Sequence, residues 1–440
     1  MDPRAIRIYS SEDSPRLRYI LSLIIGDFLG LSWELTTDRR RIKNRVVINY
    51  SNDEIPGSFR IIPHSLLFEK GVHNRDISVG KWHEIPVFFE SAISADFPFD
   101  IFAASFYLVT RYEEYLDFAP DEHGRFRSSD SIAFRNDFLG LPVIDIWVGE
   151  MARLFVRKFR NIAIKRNEFN SLLTVDTDEP FAYTGKNFLE SAGKTMNEIL
   201  HHPGMFRRNS GYKEHKKKDP FDVFEYISES TQKFKSEVIF FFPVCNSSRF
   251  DRNPSWKNHL YRSLIASVST RFKTGLHASY NWASHSGLNI EKRHLAELSG
   301  KDITANRFHY IRFTLPGSYR QLIENGITED YSMGYSDEPG FRAGIARPYF
   351  FYDIEREQQT LLKVYPFQVM DETIFNKKRL SNDESIPLIQ KFLNIVKSVG
   401  GTFISIWHNT TISDDQNGHL RRDVFEYVLK NQSVENALSD

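Results

Sequence analysis

The sequence has 440 residues, 41% of them hydrophobic and 14% aromatic, so it is long enough for two or three domains and apolar enough for a large core. Lys and Arg together number 57, as do Asp and Glu, and this balance excludes a global attraction to nucleic acid or to an anionic membrane. The single cysteine, Cys245, excludes an intrachain disulfide and a cysteine-based zinc site, so any metal ion must be bound by His, Asp or Glu.

The sequence predicts no integral membrane segment. The most apolar early stretch, residues 19–31, is interrupted by Asp27 and is too short to cross a bilayer. It also follows a charged leader, which is unlike a secretory signal. We therefore expect a cytoplasmic protein, and the sequence leaves its oligomeric state open.

Residues 1–165 are predicted to form a mixed α/β domain. Its predicted elements, in chain order, are a helix at 15–29 that starts at Ser14-Pro15, a strand at 45–49, a helix at 101–116 capped by Asp100, and a helix at 145–157. No titratable side chains lie at catalytic spacing in this part, so we interpret it as a structural or substrate-presenting domain.

From Asn170 onward, short apolar strands alternate with helical stretches, which predicts a mostly parallel α/β sheet or barrel. The predicted strands are 172–175, 238–242, 274–276, 310–313, 341–343 and 402–407. A helix from near Glu384 is expected to end at Gly400-Gly401. The basic segment 206–218 is interpreted as a solvated loop, with a rim that attracts acidic glycans as the alternative.

Asp176 and Asp178 follow the predicted strand at 172–175 directly. Residues two apart on a strand face the same side, so both carboxylates should point from its carboxyl end, where parallel α/β folds bind ligands. Adjacent carboxylates repel each other, and a stable pair usually shares a cation or a proton. The alternative is a helix-capping turn.

His277 ends the predicted strand at 274–276, and Asn281 and His285 follow at a spacing of four. If this stretch is helical, the three side chains share one face. Imidazole together with carboxylate is a normal ligand set for zinc. A histidine after a strand is otherwise usually only hydrogen-bonded, but its combination with Asp176 and Asp178 favours a metal site.

Arg307 and Arg312 flank His309 in a run of aromatic residues. Strand alternation would place Arg307 and His309 on one face and Arg312 on the other. An arginine in such a position can hold and orient a carboxylate through two hydrogen bonds. A half-exposed strand without a functional role is the alternative.

Two further features lie nearer the C-terminus. Glycines and aromatic residues surround Asp330, Tyr335 and Arg342, a composition typical of a loop that lines a sugar cleft, although turns have it too. The apolar strand at 402–407 ends at His408. A histidine there can act as a general acid near neutral pH, or it can be a buried structural residue.

In their order and spacing these motifs resemble the polysaccharide deacetylase family, carbohydrate esterases that remove N- or O-acetyl groups from glycans. The resemblance is carried by Thr174-Val175-Asp176-Thr177-Asp178, by His277 and by the strand that ends at His408. The run 319–335 followed by 340–344 also resembles a bacterial subgroup with an N-terminal domain of unknown function. The resemblance implies an α/β fold, with an N-terminal domain at 1–165 and a distorted (β/α) barrel at 166–440. It also implies a divalent metal ion, expected to be Zn²⁺, and a carbohydrate substrate.

The resemblance also implies roles for individual residues. Asp176 would be the general base, Asp178 and His277 metal ligands, and His408 the acid that protonates the leaving amine. The second family motif has two histidines four apart, whereas position 281 is Asn, so we assign His285 as the third ligand, with Asn281, His309 and water as alternatives. Arg307 or Arg312 would orient Asp176. The residues expected to contact the substrate are His309, Tyr280, Asp330, Tyr335 and Arg342.

The departure at Asn281 motivates a second hypothesis, a catalytically degenerate protein of the same fold that binds glycans or acts as a scaffold. A third hypothesis is a metal-dependent amidohydrolase that acts on a small molecule.

Overall fold

The computed structural model describes residues 6–42, 46–91, 95–160, 162–184, 218–282 and 287–432. The N-terminal part contains four strands, which are β1 (Ile6–Ser10), β2 (Trp33–Thr36), β3 (Val47–Tyr50) and β4 (Phe59–Ile61). They form a parallel sheet in the order β2-β1-β3-β4. Two shorter strands, β5 (Gly80–Trp82) and β6 (Ile85–Val87), form an antiparallel hairpin.

The predicted first helix is present, and it changes geometry halfway. Helix α1 (Pro15–Leu21) continues as a π-helix over Ser22–Phe28. The Ser14 hydroxyl caps α1 by accepting the backbone N–H of Leu17 at 3.0 Å. Pro15 sits in the first turn, where its missing N–H leaves no helical hydrogen bond unmade.

The second helix is shorter than predicted. Helix α2 (Ile101–Val109) is capped as expected, since Asp100 Oδ1 accepts the N–H groups of Phe102 and Ala103, both at 3.0 Å. The chain leaves the helix at Arg111, which has a left-handed φ of 56°, and a 3₁₀ turn follows. Two more α-helices follow in the described residues of this part, α3 (Ile132–Arg135) and α4 (Val143–Lys158).

Among the described residues, the C-terminal part is built on a nine-stranded sheet with six α-helices. The strands are β7 (Asn170–Asp176), β8 (Val238–Phe242), β9 (Lys273–Ala278), β10 (Ala305–Phe308), β11 (Glu329–Asp330), β12 (Tyr349–Asp353), β13 (Gln358–Val364), β14 (Val369–Met370) and β15 (Thr402–His408). The helices are α5 (Phe224–Lys233), α6 (His259–Arg271), α7 (Gly287–Ser299), α8 (Gly317–Glu324), α9 (Asn382–Ser398) and α10 (Gln416–Gln432).

The strand order is β12-β13-β11-β10-β9-β8-β7-β15-β14, and each pair is parallel except β12 with β13. All five residues of β8 are buried, as expected for a strand covered on both faces. The prediction of an α/β fold is therefore confirmed. A closed barrel is not, because in the described ranges β12 and β14 end the sheet without pairing with each other.

Two of the predicted strands are wrong. The strand near 310–313 lies instead at Ala305–Phe308, because Tyr310 and Ile311 have φ values of 60° and 55° that end the extended backbone. Residues 341–343 lie in a turn rather than a strand. Gly340 before that turn has a φ of 155°, and a Cβ there would lie 2.7 Å from the carbonyl oxygen of Leu139.

One hydrophobic core includes side chains from both parts of the chain, among them Ile8 and Phe102 from the first and Leu173 and Phe241 from the second. The predicted boundary at residue 165 falls between α4 and β7 and stays a prediction. No described helix combines the length and the apolar character that a membrane crossing requires.

Candidate metal and catalytic site

Polar residues collect at one edge of the large sheet, where the carboxyl ends of neighbouring parallel strands meet. β7 ends at Asp176, and Asp178 lies two residues beyond it. His277 is the penultimate residue of β9, and His309 follows β10. β15 ends at His408, directly opposite Asp176 in the register of the two strands. Ligands bind at this edge in open α/β sheets.

Asp178, His277 and His309 form a compact group, which we call the Asp178 cluster. His277 Nε2 lies 2.9 Å from Asp178 Oδ1, and His309 Nε2 lies 3.2 Å from Asp178 Oδ2. One ligand-type atom from each residue lies within 4.8 Å of the other two. Both imidazoles are buried, and Asp178 is partly exposed. An acid and two imidazoles with this spacing can hold a metal ion.

The proton on each imidazole is placed on the side away from Asp178. His277 Nδ1–H donates to the carbonyl oxygen of Arg307 at 2.9 Å, and His309 Nδ1–H donates to Asp251 Oδ1 at 2.9 Å. In the neutral rings both Nε2 atoms are then acceptors that face an acceptor carboxylate. A cation or a proton must lie between them. In metal sites the second nitrogen of a ligand histidine usually donates to a carboxylate or a carbonyl in this way, which fixes the orientation of the ring.

Unsatisfied buried atoms support the cation. Asp178 Oδ1 and His277 Nε2 are buried, and none of the described residues gives them a hydrogen bond. Such atoms are rare in folded proteins and call for a partner. The donor set, two imidazoles and a carboxylate with no thiolate, suits zinc and similar divalent ions. The residues therefore fit the predicted metal ion.

The charges of the cluster depend on one another. Burial raises the pKa of Asp178, but attraction to His309, the protons that His277 and His309 can offer, and the nearby His408 outweigh it and hold that pKa well below its ordinary value. Burial lowers the pKa of His309, yet Asp178 and Asp251 raise it to about 9. Without a metal ion, the proton on His309 would supply the missing positive charge.

His408 is held beside the cluster by Asp371. His408 Nδ1–H donates to Asp371 Oδ1 at 2.7 Å, and the backbone N–H of His408 donates to Asp371 Oδ2 at 2.6 Å. The ring thereby directs Nε2 toward Asp178, whose Oδ2 is 3.7 Å away. Burial lowers the pKa of His408, but Asp371 and then Asp178 and Asp176 raise it well above the ordinary value.

Of the two arginines predicted to orient Asp176, the structure places Arg307 beside it. Arg307 Nε lies 3.4 Å from Asp176 Oδ1, and Arg307 Nη2 donates to the hydroxyl of Thr174 at 2.7 Å. The guanidinium is fully buried against the ring of Phe241, 4.9 Å from its centroid. Arg312 instead donates to the carbonyl oxygens of Tyr280 and His123.

Three residues predicted to contact the substrate have protein partners and almost no exposed surface. Asp330 accepts hydrogen bonds from Asn306, Ser332 and Tyr319. Tyr335 and Arg342 belong to a buried network, in which Tyr335 binds Arg111 and Arg342 binds Glu114. Their burial argues against substrate contact, because their polar atoms already bond within the protein. Tyr280 is 9% exposed and lies closer to the site, since its backbone N–H donates to Asp251.

The helical spacing proposed for His277, Asn281 and His285 does not apply. His277 lies in strand β9, and Asn281 is exposed in the turn that follows. His285 and residues 206–217 of the basic segment lie outside the described residues.

Sequence reasoning missed Asp251 and Asp371, which hold His309 and His408. Asp371 follows the short strand β14 at once, so the pattern used for Asp176 could have indicated it. Asp251 lies in an irregular stretch nine residues beyond β8, and no local pattern marks it.

The fold and the site thus define a mixed α/β protein with an acid–histidine cluster suited to a metal ion. Comparison with protein families adds one match, to a family of unknown function (DUF7033), over residues 6–160. This match lies within the predicted N-terminal domain. No curated protein sequence matches the chain.

Solved structures give distant likenesses. A Mycobacterium smegmatis protein assigned provisionally to the polysaccharide deacetylases matches with a TM-score of 0.40 and 15% identity over 63% of this chain and 86% of its own. Puue allantoinase matches with a TM-score of 0.38 and 13% identity over 62% and 85%. A Bacillus cereus polysaccharide deacetylase matches with a TM-score of 0.29 and 10% identity over 62% and 88%. At these TM-scores the likenesses carry no argument about this chain, and its function has to be inferred from the geometry of the site.

Proposed function

We propose that the protein is a metal-dependent hydrolase that removes acetyl groups from an N-acetylated, or O-acetylated, sugar or polysaccharide. The observation that carries the proposal is the Asp178 cluster, where one carboxylate and two imidazoles converge from three strand ends, and where Asp178 Oδ1 and His277 Nε2 have no hydrogen bond among the described residues. Asp178, His277 and His309 would hold the ion, with His309 in place of His285 as the third ligand. A bound divalent ion such as Zn²⁺ supplies Lewis acidity toward a carbonyl and lowers the pKa of water.

Asp176 is the residue we assign as general base. Its Oδ2 lies 3.9 Å from His277 Nε2, so its carboxylate adjoins the cluster without being part of it. Arg307 lies against the other carboxylate oxygen and restricts its rotation. A carboxylate held in this way can accept the proton of a water molecule that attacks an acyl carbon.

His408 is the residue we assign as general acid. Burial lowers the pKa of its ring, but Asp371 and then Asp178 and Asp176 raise it well above the ordinary value, which favours the protonated imidazole. Asp371 binds Nδ1, so Nε2–H is the donor that faces the cluster. A protonated imidazole on the opposite strand from Asp176 can donate its proton to the leaving amine or alcohol as the acyl bond breaks.

The hypothesis of a degenerate binding protein rested on Asn281 in place of a second histidine. The position of His309 removes the need for that histidine, because it brings an imidazole to the cluster from another strand. We therefore favour the enzyme over the binding protein.

The metal content of three variants tests the ligand assignment. His277→Ala and His309→Ala should each reduce bound zinc from about one ion per chain to a small fraction, because two ligands no longer close the site. His285→Ala is the matched control and should keep its metal. Elemental analysis of the purified full-length proteins, with circular dichroism as a check of folding, measures this. Metal lost from His285→Ala and kept by His309→Ala would reverse the assignment.

The reaction is tested by acetate release from N-acetylated and O-acetylated oligosaccharides. Asp176→Asn should bind metal normally and release acetate at least about 100-fold more slowly, as expected for a lost general base. A wild-type protein that contains metal but releases acetate from small amides alone would favour the small-molecule amidohydrolase.

A further inference from the structure

A turn of the N-terminal part reaches the rim of the candidate site. The turn spans residues 121–125, and Asp121 Oδ1 accepts the backbone N–H groups of His123 and Arg125, both at 2.9 Å. Arg125 also pairs with the Asp121 carboxylate at 2.7 Å. These bonds hold the turn in one conformation. In the sequence, the turn lies well before the first strand of the large sheet, which begins at Asn170.

Two arginines join this turn to the wall of the site, one from each side. Arg125 Nη1 donates to the carbonyl oxygen of Tyr310 at 2.6 Å. In the opposite direction, Arg312 donates to the carbonyl oxygens of His123, at 3.0 Å, and Tyr280, at 2.8 Å. Hydrogen bonds from charged donors are stronger than neutral ones, so the turn and the wall are held together firmly.

The backbone at this junction is strained. Tyr310 has φ 60° and ψ 11°, and Ile311 has φ 55°, although neither is glycine and Ile311 is β-branched. Such conformations are unfavourable for L-residues and persist only where surrounding contacts impose them. Tyr310 is 37% exposed, and its ring centroid lies 4.7 Å from that of His309.

Four rings meet at this point, and we call them the ring cluster: His123, Phe250, Tyr280 and Tyr310. Phe250 stacks on Tyr280 with centroids 4.0 Å apart, and Tyr310 stands at 87° to Tyr280 at 5.4 Å. The His123 centroid lies 5.0 Å from that of Tyr310. His123 Nδ1 is hydrogen-bonded to the Tyr280 hydroxyl at 3.1 Å.

The second ring nitrogen of His123 makes no hydrogen bond with the described residues. The side chain is 16% exposed, and Nε2 lies 3.6 Å from the Glu122 carboxylate, beyond hydrogen-bond distance. The site therefore offers a partly exposed aromatic ring next to a polar ring atom. This is the combination that binds a pyranose, whose axial C–H groups pack on a ring while its equatorial hydroxyls need hydrogen-bond partners.

We propose that the ring cluster is a carbohydrate-binding subsite beside the Asp178 cluster, in which Tyr310 packs on a sugar ring and His123, from the N-terminal part, hydrogen-bonds a sugar hydroxyl. The inference rests on the proposed function for the substrate class. It also assigns a role to the segment that matches a family of unknown function, since that segment supplies part of the substrate-binding surface.

Binding of the fully acetylated tetrasaccharide of N-acetylglucosamine tests the subsite. We would measure the Kd by calorimetry in full-length Asp176→Asn protein, so that the probe is not consumed. His123→Ala and Tyr310→Ala should each weaken binding about fivefold or more, as expected when a stacking or hydrogen-bonding contact is lost. Tyr310→Phe, which keeps the ring, should bind nearly as well as its parent.

His73→Ala is the matched control, because His73 is an exposed histidine of the same N-terminal part whose ring bonds the Lys70 carbonyl. It should bind the probe like its parent. In otherwise wild-type protein, His123→Ala should raise KM and leave kcat and zinc content nearly unchanged. A purely structural role for His123 would lower the melting temperature and the metal content together.

The outcomes separate the subsite from the proposed function. Unchanged Kd and KM in a folded His123→Ala protein would overturn the subsite even if acetate release is confirmed. A wild-type protein that does not bind the tetrasaccharide at millimolar concentration would overturn it as well. Weaker binding in His123→Ala, in a protein that releases no acetate, would support the subsite and contradict the proposed reaction.

Discussion

Two buried groups of charged residues in this protein differ in how completely their bonds are made. The Asp178 cluster leaves acceptor atoms without donors among the described residues. The second group, which we call the Arg111 cluster, consists of Arg111, Glu113, Glu114, Tyr335 and Arg342. There Glu114 is held by Arg111 at 2.7 Å and by Arg342 at 2.6 Å, and Arg111 also binds Glu113 at 2.9 Å.

The remaining polar atoms of the Arg111 cluster have partners too. Glu113 accepts the backbone N–H of Ile132, Arg342 donates to the carbonyl oxygen of Gly334, and Arg111 donates to the hydroxyl of Tyr335. Two arginines face two glutamates, so the charges balance without an added ion. Burial of charge therefore does not by itself mark a functional site. The useful sign is an excess of acceptors over donors.

The largest expected effect on the free energy of unfolding comes from removing one carboxylate from the Arg111 cluster. Glu114→Ala leaves Arg342 and one side of Arg111 buried without a counter-charge, and should lower the free energy of unfolding by about 3–5 kcal/mol. Urea unfolding followed by circular dichroism measures it. A loss below about 1 kcal/mol would show that the Arg111 cluster contributes no more than surface pairs do.

Replacing a buried acid next to the Asp178 cluster should stabilise the protein, whereas the loss of Glu114 should destabilise it. Burial raises the pKa of Glu291 to about 7, against the lowering effect of hydrogen bonds from the Ser279 hydroxyl and N–H. The folded state therefore binds the Glu291 proton more tightly than the unfolded state. The contribution of this carboxyl group to stability falls as pH rises from about 4.5 to about 7. Glu291→Gln should remove this loss and stabilise the protein above pH 7 by up to roughly 3 kcal/mol.

Melting temperatures of wild type and Glu291→Gln across pH 4–8 check this sign, with pH 4 as the internal control because the side chain is mostly protonated there in both states. A variant that is less stable than wild type at pH 8 would show that ionised Glu291 is needed near the cluster.

A smaller effect is expected from the acid behind His309. Asp251→Asn keeps an acceptor for the Tyr280 N–H but weakens the hold on His309, and should reduce zinc affinity about 10–100-fold. Competition with a chelator measures this affinity. Asp371→Asn is the matched control, since it holds His408 and should slow acetate release while leaving zinc affinity nearly unchanged. Equal loss of zinc in both variants would contradict the division of roles.

The smallest effect on stability is expected from an exposed ion pair, which serves as the reference for both buried clusters. Glu150 pairs with Arg153 at 2.7 Å on the exposed face of α4. Glu150→Ala should change the free energy of unfolding by less than about 1 kcal/mol, because water screens an exposed pair. The same urea experiment measures it. A change as large as that of Glu114→Ala would mean that burial does not separate the two pairs.

The local sequence pattern was sufficient to predict the residues that lie at strand ends and at helix starts. Asp176, Asp178, His277 and His408 each follow or end an apolar strand, and parallel strands bring such ends to one edge. The caps Ser14 and Asp100 were equally readable, because a capping side chain bonds to N–H groups two or three residues away. For these positions the short-range sequence determined the outcome.

Tertiary structure alone decided which residues complete the clusters. The roles of His309 and Asp251, the choice of Arg307 over Arg312, and the closure of Arg342 on Glu114 all join side chains 58 to 228 residues apart in the chain. A predicted strand also failed where Arg125, from the N-terminal part, binds the strained Tyr310. Local propensity carries no record of such partners, because hydrogen bonds and ion pairs depend on distances in space that only the packing of the sheet and the N-terminal turn establishes.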